Sequence, residues 1–224
     1  MRSRLLAGLA AGGALALPTA GHAATLTADQ PCYVAGLAGA MPVTLTGSGF
    51  APQQAIDISG PPGVSQSATS DASGVFSAQL AAPSLGTLAP VARAVKLTAT
   101  DAGNPADTAG VAIEVTNLTF ATHGPSRRPQ AVRTWEISGF IPAAGADLSK
   151  PIYGHFRTHG RTYANHRFGV GHGPCGLLKV HAPAIPLKVV PTGTWLVQLD
   201  QSRSYHSTTR PAIRAKFTVR SGGS

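Results

Sequence analysis

Imidazole and thiol groups are concentrated in one part of this 224-residue chain. His155, His159, His166, His172 and His181 share a single stretch, with Cys175 among them. Two chemistries suit such groups. A thiolate beside an imidazole base can serve as an acyl-transfer nucleophile. Imidazole with thiolate also binds zinc or copper, and His172 and Cys175 have a usable spacing for it. Against a metal, His155 and His159 would stand about 13 Å apart on a strand. No Asp or Glu lies between Asp147 and Asp200 to add charge, and an oxidised Cys175 cannot ligate. The histidines therefore read as a polar, titratable face, with no metal and no cofactor. Cys32 is the one other cysteine. In an exported protein such a pair is more often bonded than free. Closing a loop of ~140 residues would contribute ~4–5 kcal/mol before strain is subtracted. Two buried free thiols are the alternative.

Charge supplies the second candidate. The chain carries a net +9, spread very unevenly. From Ala24 to Asn117 there are two basic residues against six acidic ones, a balance of −4; from Leu118 onward fourteen stand against three, a balance of +11. Arg157, Arg161 and Arg167 surround His159-Gly160, with Tyr153 and Tyr163 close by. Near the end, Arg214, Lys216 and Arg220 occupy the parity opposite Phe217 and Val219. Cations interleaved with aromatics suit an anionic polysaccharide, a wall polymer or nucleic acid. The competing reading is a solvated strand face whose Lys and Arg keep edges from pairing.

The elements that would carry these groups follow from periodicity. Gly47-Ser48-Gly49-Phe50-Ala51-Pro52 recurs later as Ile137-Ser138-Gly139-Phe140-Ile141-Pro142. Each copy ends a run of alternating apolar and polar residues. Val43 and Leu45, Ile56 and Ile58, Phe76, Ala78 and Leu80, and Val95, Leu97 and Ala99 are such sets in the first half. Trp195, Val197 and Leu199, and Ile213, Ala215, Phe217 and Val219, are their counterparts in the second. Period-two runs bury one face. Gly60-Pro61-Pro62-Gly63, Asp71-Ala72-Ser73-Gly74 and Asp101-Ala102-Gly103-Asn104-Pro105 punctuate them as turns. The pattern predicts an all-β chain of two β-sandwich domains in tandem, without helical periodicity. Arg2, Arg4, the apolar run Leu5 to Leu17 and small residues near Ala23 read as a cleaved export signal, too short to span a bilayer. The expected division is a signal peptide at 1–23, an acidic domain at 24–117, a basic domain at 118–220 and a short tail at 221–224.

With these motifs in place, the chain resembles the tandem bacterial Ig-like modules of secreted actinobacterial proteins. The carriers are Gly47-Ser48-Gly49-Phe50, the Asp71, Gly74 and Phe76 hairpin, Tyr153-Gly154-His155, Gly173-Pro174-Cys175-Gly176, and Gly193-Thr194-Trp195 with Gln198 and Asp200. That resemblance implies two Ig-like sandwiches and no assigned activity, since a fold does not fix a function. A weaker likeness links Gly171-His172-Gly173-Pro174-Cys175 to the active-site motif of L,D-transpeptidases. Here Pro174 separates Gly173 from Cys175, Gly171 replaces the family's Ser, and no Arg follows. Signatures for other hydrolases and phosphate binding are missing: no Gly-x-Ser-x-Gly, no His-Glu-x-x-His, no phosphate-binding glycine loop and no suitably paired carboxylates. Asn117-Leu118-Thr119 matches a glycosylation sequon and reads as chance. The expectation is a secreted or envelope-associated, non-enzymatic binding or adhesion protein. Its basic second domain would engage an anionic polymer or surface, or another envelope protein. The alternatives are a Cys/His cell-wall acyl-transferase and a structural subunit of a surface assembly.

Overall fold

The computed structural model describes residues 23–36, 41–124 and 128–220. The expected export signal, apart from residue 23, and the tail at 221–224 lie outside the described residues. The first half folds as eight strands: β1 Thr25–Ala28, β2 Cys32–Val34, β3 Val43–Ser48, β4 Ala55–Ser59, β5 Ser65–Thr69, β6 Phe76–Leu80, β7 Ala92–Asp101 and β8 Thr108–Thr116. They form a three-stranded sheet, β1-β3-β6, and a five-stranded sheet, β2-β8-β7-β4-β5. The alternation in the sequence drives the stacking. Leu45 and Val43 on one sheet, and Ile56, Ile58, Leu97, Ala99 and Val115 on the other, are almost wholly removed from water. The chain changes sheets between β1, which pairs antiparallel with β3, and β2, which pairs parallel with β8 (Cys32 with Glu114, Val34 with Thr116).

The second half repeats the plan with seven strands: β9 Thr119–His123, β10 Val132–Ser138, β11 Ile152–Thr158, β12 Arg161–Gly169, β13 Leu178–Pro183, β14 Gly193–Asp200 and β15 Ile213–Val219. Its sheets are β13-β10-β9 and β12-β11-β14-β15. Aromatic rings fill the core. Trp135 lies 4.8 Å from the Phe168 ring, 5.5 Å from Phe120 and 6.2 Å from Phe156. Gly154 makes room for this cluster, since a Cβ there would come within 2.5 Å of Phe168. A single 3-10 turn at Pro142–Ala144 is the only helical element among the described residues.

The repeated Gly-Phe turn does the same work twice. Gly49 (φ 79°) and Gly139 (φ 88°) take a left-handed conformation that side chains resist. A Cβ would stand 3.0 Å from the Ala23 carbonyl oxygen at the first and 2.5 Å from the Asn117 carbonyl oxygen at the second. Each glycine thus lets the end of a strand pass under the chain entering its sandwich, and the following Phe50 or Phe140 is buried. Between the halves, Ile141, Ala143 and Cys175 join the first core rather than the second. The Met41 amide donates to the Ala143 carbonyl at 3.0 Å, and Cys32 and Cys175 are joined in a disulfide. Asn117 is buried, and its amide donates to the Thr87 and Ala89 carbonyls at 2.7 and 3.1 Å. That engagement leaves no side chain for a glycan to modify.

Candidate functional site

Directly paired residues in a sheet share a face, so strand register shows how the outer surface of β12-β11-β14-β15 is assembled. One row holds Arg167, Tyr153 and Asp200; the next holds Asn165, His155, Gln198 and Arg214; a third holds Thr162, Arg157, Leu196 and Lys216. A solvated face was the expectation. Instead, His155, Gln198 and Asp200 are fully buried, because the segment 201–212 folds back over the middle of the sheet. Gln198 Nε2 donates to the His206 carbonyl at 2.9 Å, and Arg214 donates to the Ser207 carbonyl at 2.8 Å. The Tyr205 ring lies edge-on to His155, 6.0 Å between centroids. The Arg157 guanidinium stacks 3.6 Å above that same ring.

Beneath this cover is a closed polar chain. Asp200 accepts from His155 Nε2 at 3.2 Å, from Gln198 Nε2 at 2.6 Å and from the Ser202 amide at 2.7 Å. His155 Nδ1 lies 2.7 Å from Asn165 Oδ1, and Arg214 Nε donates to Gln198 Oε1 at 2.7 Å. Both imidazole nitrogens therefore face oxygen acceptors, which only the protonated ring satisfies by donating twice. Burial alone would lower the His155 pKa, but the bonds to Asp200 and Asn165 and the Asp200 charge outweigh it, and the net direction is up. For Asp200, burial pushes upward while the bonds from His155, Gln198 and Ser202 push down, and the carboxyl ends below its usual range. Geometry and both shifts thus favour an imidazolium bonded to a carboxylate inside the protein.

The expected cationic set divides accordingly. Arg157, half-buried, and Arg214, which stays exposed, are held by bonds within the protein, Arg157 also donating to the Gly160 carbonyl at 2.7 Å. Arg161, Arg167, Lys216 and Arg220 are exposed, and among the described residues none of the four makes an ion pair. Arg167 and Lys216 mark opposite edges of the sheet. A register shift between Phe156 and Arg157 puts Arg161 and Tyr163 on the Trp195 side instead, where the Tyr163 ring lies 5.5 Å from Trp195. Tyr153, half-buried, stays beside Arg167. Sequence reasoning missed Arg203 and Arg210, exposed cations of the covering segment; their signal was a 201–212 stretch without a single acidic residue. All three carboxylates of the second half are already partnered. Glu136 bonds Lys179 at 2.8 Å and His123 at 3.4 Å, Asp147 pairs with Lys150 at 3.6 Å, and Asp200 holds His155.

The histidines do not converge. His166 packs edge-on against Phe168 at 4.8 Å, and burial lowers its pKa. His181 bonds Thr134 at 3.2 Å, and His159 occupies the hairpin turn with φ 47°. Among the described residues, the one group of three ligand types in reach of one another is Cys32, Glu114 and Cys175, and its two sulfurs are bonded together. The Glu114 carboxylate lies 3.2 Å from Cys175 Sγ, which has no proton to donate. This corrects the acyl-transferase alternative at its root: Cys175 is oxidised and 1% exposed, so no thiolate is present to attack a carbonyl. The same bond removes Cys175 as a metal ligand for His172.

No family model and no curated protein matches the chain. Among solved structures, a tetra-tandem repeat from the extending region of a large adhesion protein aligns at 15% identity. It covers 88% of this chain and 48% of that one, with a TM-score of 0.29, so this chain spans about half of that structure's length. The human OSCAR ligand-binding domain aligns at 12% identity over 88% of this chain and 97% of its own, TM-score 0.31. The ectodomain of the teleost fish polymeric Ig receptor aligns at 10% identity over 85% and 96%, TM-score 0.30. Likenesses this distant carry no functional argument, and the Ig-like description rests on the sheets themselves.

Proposed function

We propose that this chain is an exported, non-enzymatic binding module. Its C-terminal sandwich holds an anionic polymer, of the class of an acidic polysaccharide or wall polymer, against a cationic surface. The observation that carries this reading is the charge imbalance of the second half. Every carboxylate there has a cationic partner inside the protein, while Arg161, Arg167, Lys216, Arg220, Arg203 and Arg210 are exposed. A surface of one sign attracts a polyanion over roughly a Debye length, about 8 Å at physiological salt. The disulfide fits an oxidising compartment outside the cytosol.

The test is retention of the full chain on immobilised dextran sulfate across a salt series. Binding should fall steeply with salt, and pairing Arg167→Ala with Lys216→Ala should weaken it by about tenfold. Retention unchanged between low and high salt would reject the reading. Arg157→Ala and Arg214→Ala should act through stability and the order of 201–212, not through direct contact.

A further inference from the structure

The two sandwiches differ at one seam, where the edge of the first strand approaches the edge of the last. In the N-terminal sandwich, β2 closes it. Cys32, Tyr33 and Val34 are all buried, and they run parallel to β8 as its outer neighbour. The C-terminal sandwich has no counterpart. β9 pairs with β10 alone, and among the described residues no strand pairs with the outer side of β15. Pro129 and Ala131 lie instead beside the end of β13, where the Ala184 and Ile185 amides donate to the Ala131 and Pro129 carbonyls at 3.0 and 2.7 Å.

An open cleft of about 660 Å³ lies along that seam, a volume within the range of ligand sites. Its walls are largely apolar, with Phe120, Trp135, Ile185 and Phe217 among them. Every residue from Ala215 to Arg220 lines it. Both parities of β15 are represented, so the cleft exposes the strand's edge as well as its inner face. Charge bears on what the cleft would take: it carries Lys216 and Arg220 at its margin and no acidic residue.

We infer that this seam accepts an extended peptide segment of a partner protein. The segment adds to β15 in the position that β2 takes on β8, with apolar side chains at alternate positions and an acidic residue at its end. Main-chain bonds to an exposed edge give such additions their affinity, and the pockets beneath give specificity. The acidic residue meets Lys216 and Arg220, and the apolar ones fill the space beside Phe217. This goes beyond the polymer-binding surface, although Lys216 and Arg220 border both.

The experiment uses the full chain and a synthetic peptide of alternating Val and Thr with Glu at both ends, followed by tryptophan fluorescence and by amide exchange of β15. Binding should protect β15 amides. Replacing the terminal Glu by Lys, or N-methylating the amides on one edge of the peptide, should each weaken binding by about tenfold. Ala215→Trp, which fills the cleft, should abolish peptide binding and leave dextran sulfate retention intact. Equal binding by the N-methylated peptide overturns the inference, because no strand pairing is then involved. It is also overturned if only dodecyl phosphate perturbs the tryptophans, which would make the cleft an amphiphile site. A self-associated chain whose own second copy protects β15 overturns it too. Retention on dextran sulfate is read separately, so either proposal can fail alone.

Discussion

Asp200→Asn is the substitution that most directly tests the buried network. His155 and Asp200 are both fully excluded from solvent, so the pair has no water to fall back on when one charge is removed. An Asn at 200 can still accept from the Ser202 amide, but its own N–H₂ would then face Gln198 Nε2, which donates to Asp200 Oδ2 at 2.6 Å. Relieving that donor–donor contact requires Gln198 to turn. Turning it withdraws the acceptor from Arg214 Nε, now at 2.7 Å, and the donor to the His206 carbonyl of the covering segment, now at 2.9 Å. Breaking one side of a buried ion pair costs about 3–5 kcal/mol, and the loss of coupled bonds places this variant in that range. The pH dependence gives a sharper reading. His155 has a raised pKa in the folded state, so its contribution is complete below the unfolded value of about 6.5 and is lost as pH rises through the raised folded value. Asp200 is shifted down, so its contribution is present above about 3.9 and is lost as pH falls through the lowered folded value. Urea midpoints measured from pH 5 to 9 should therefore decline on the alkaline side in the parent chain. They should be flat there in Asp200→Asn, whose buried ring is neutral throughout. An alkaline decline of equal slope in both proteins would refute the ionised pair.

Other consequences can be checked together. Replacing both cysteines by serine should lower stability by up to ~5 kcal/mol, the loop-closure value for a span of this length; a melt unchanged by the substitution would show that the junction packing alone holds the halves together. Gly74→Ala should destabilise by about 1–3 kcal/mol, because φ is 76° and a Cβ there would be blocked by the Phe50 carbonyl oxygen; the thermal midpoint reads it. Asn117→Ala removes the donor to the Thr87 and Ala89 carbonyls and should cost about 2 kcal/mol in the same assay.

Features set by short-range chemistry were legible in the sequence. The parity of Trp195, Val197 and Leu199 is observed because those residues line a shared inner face. Gly49 and Gly139 could be read because their turns need a positive φ. Asp71 could be read because its carboxylate caps its own turn, accepting from the Ser73 and Val75 amides at 2.8 and 3.0 Å. Cysteine pairing followed from compartment and number. What escaped depends on contacts that periodicity does not encode. Gln198 and Asp200 have the parity of a wet face, and nothing local announces that residues 201–212 will fold over them. Ile213, Ala215, Phe217 and Val219 carry the pattern of a core strand yet remain half-buried, since the opposing seam is open. Arg157 and Arg214 look like free cations until Tyr205 is seen against the first and Gln198 and Ser207 bonded to the second.

The single cross-link lies at only one of the two seams. Cys32 begins β2, the strand that closes the first sandwich, and its bond to Cys175 ties that strand to the turn entering β13 of the second. Closure of the first seam and fixation of the junction are thus one event: losing the bond would loosen β2 from β8 as well as freeing the junction. No cysteine remains to pin a strand at the other seam, and the covering segment of the second half depends on the state of His155 and Asp200 rather than on a covalent tie. A chain arranged this way has a stapled, acidic first module and a basic second module whose last strand, among the described residues, has one edge unpaired. The asymmetry is physical: the covalent tie sits at the first seam, while the exposed cations Arg167, Lys216 and Arg220 belong to the second half.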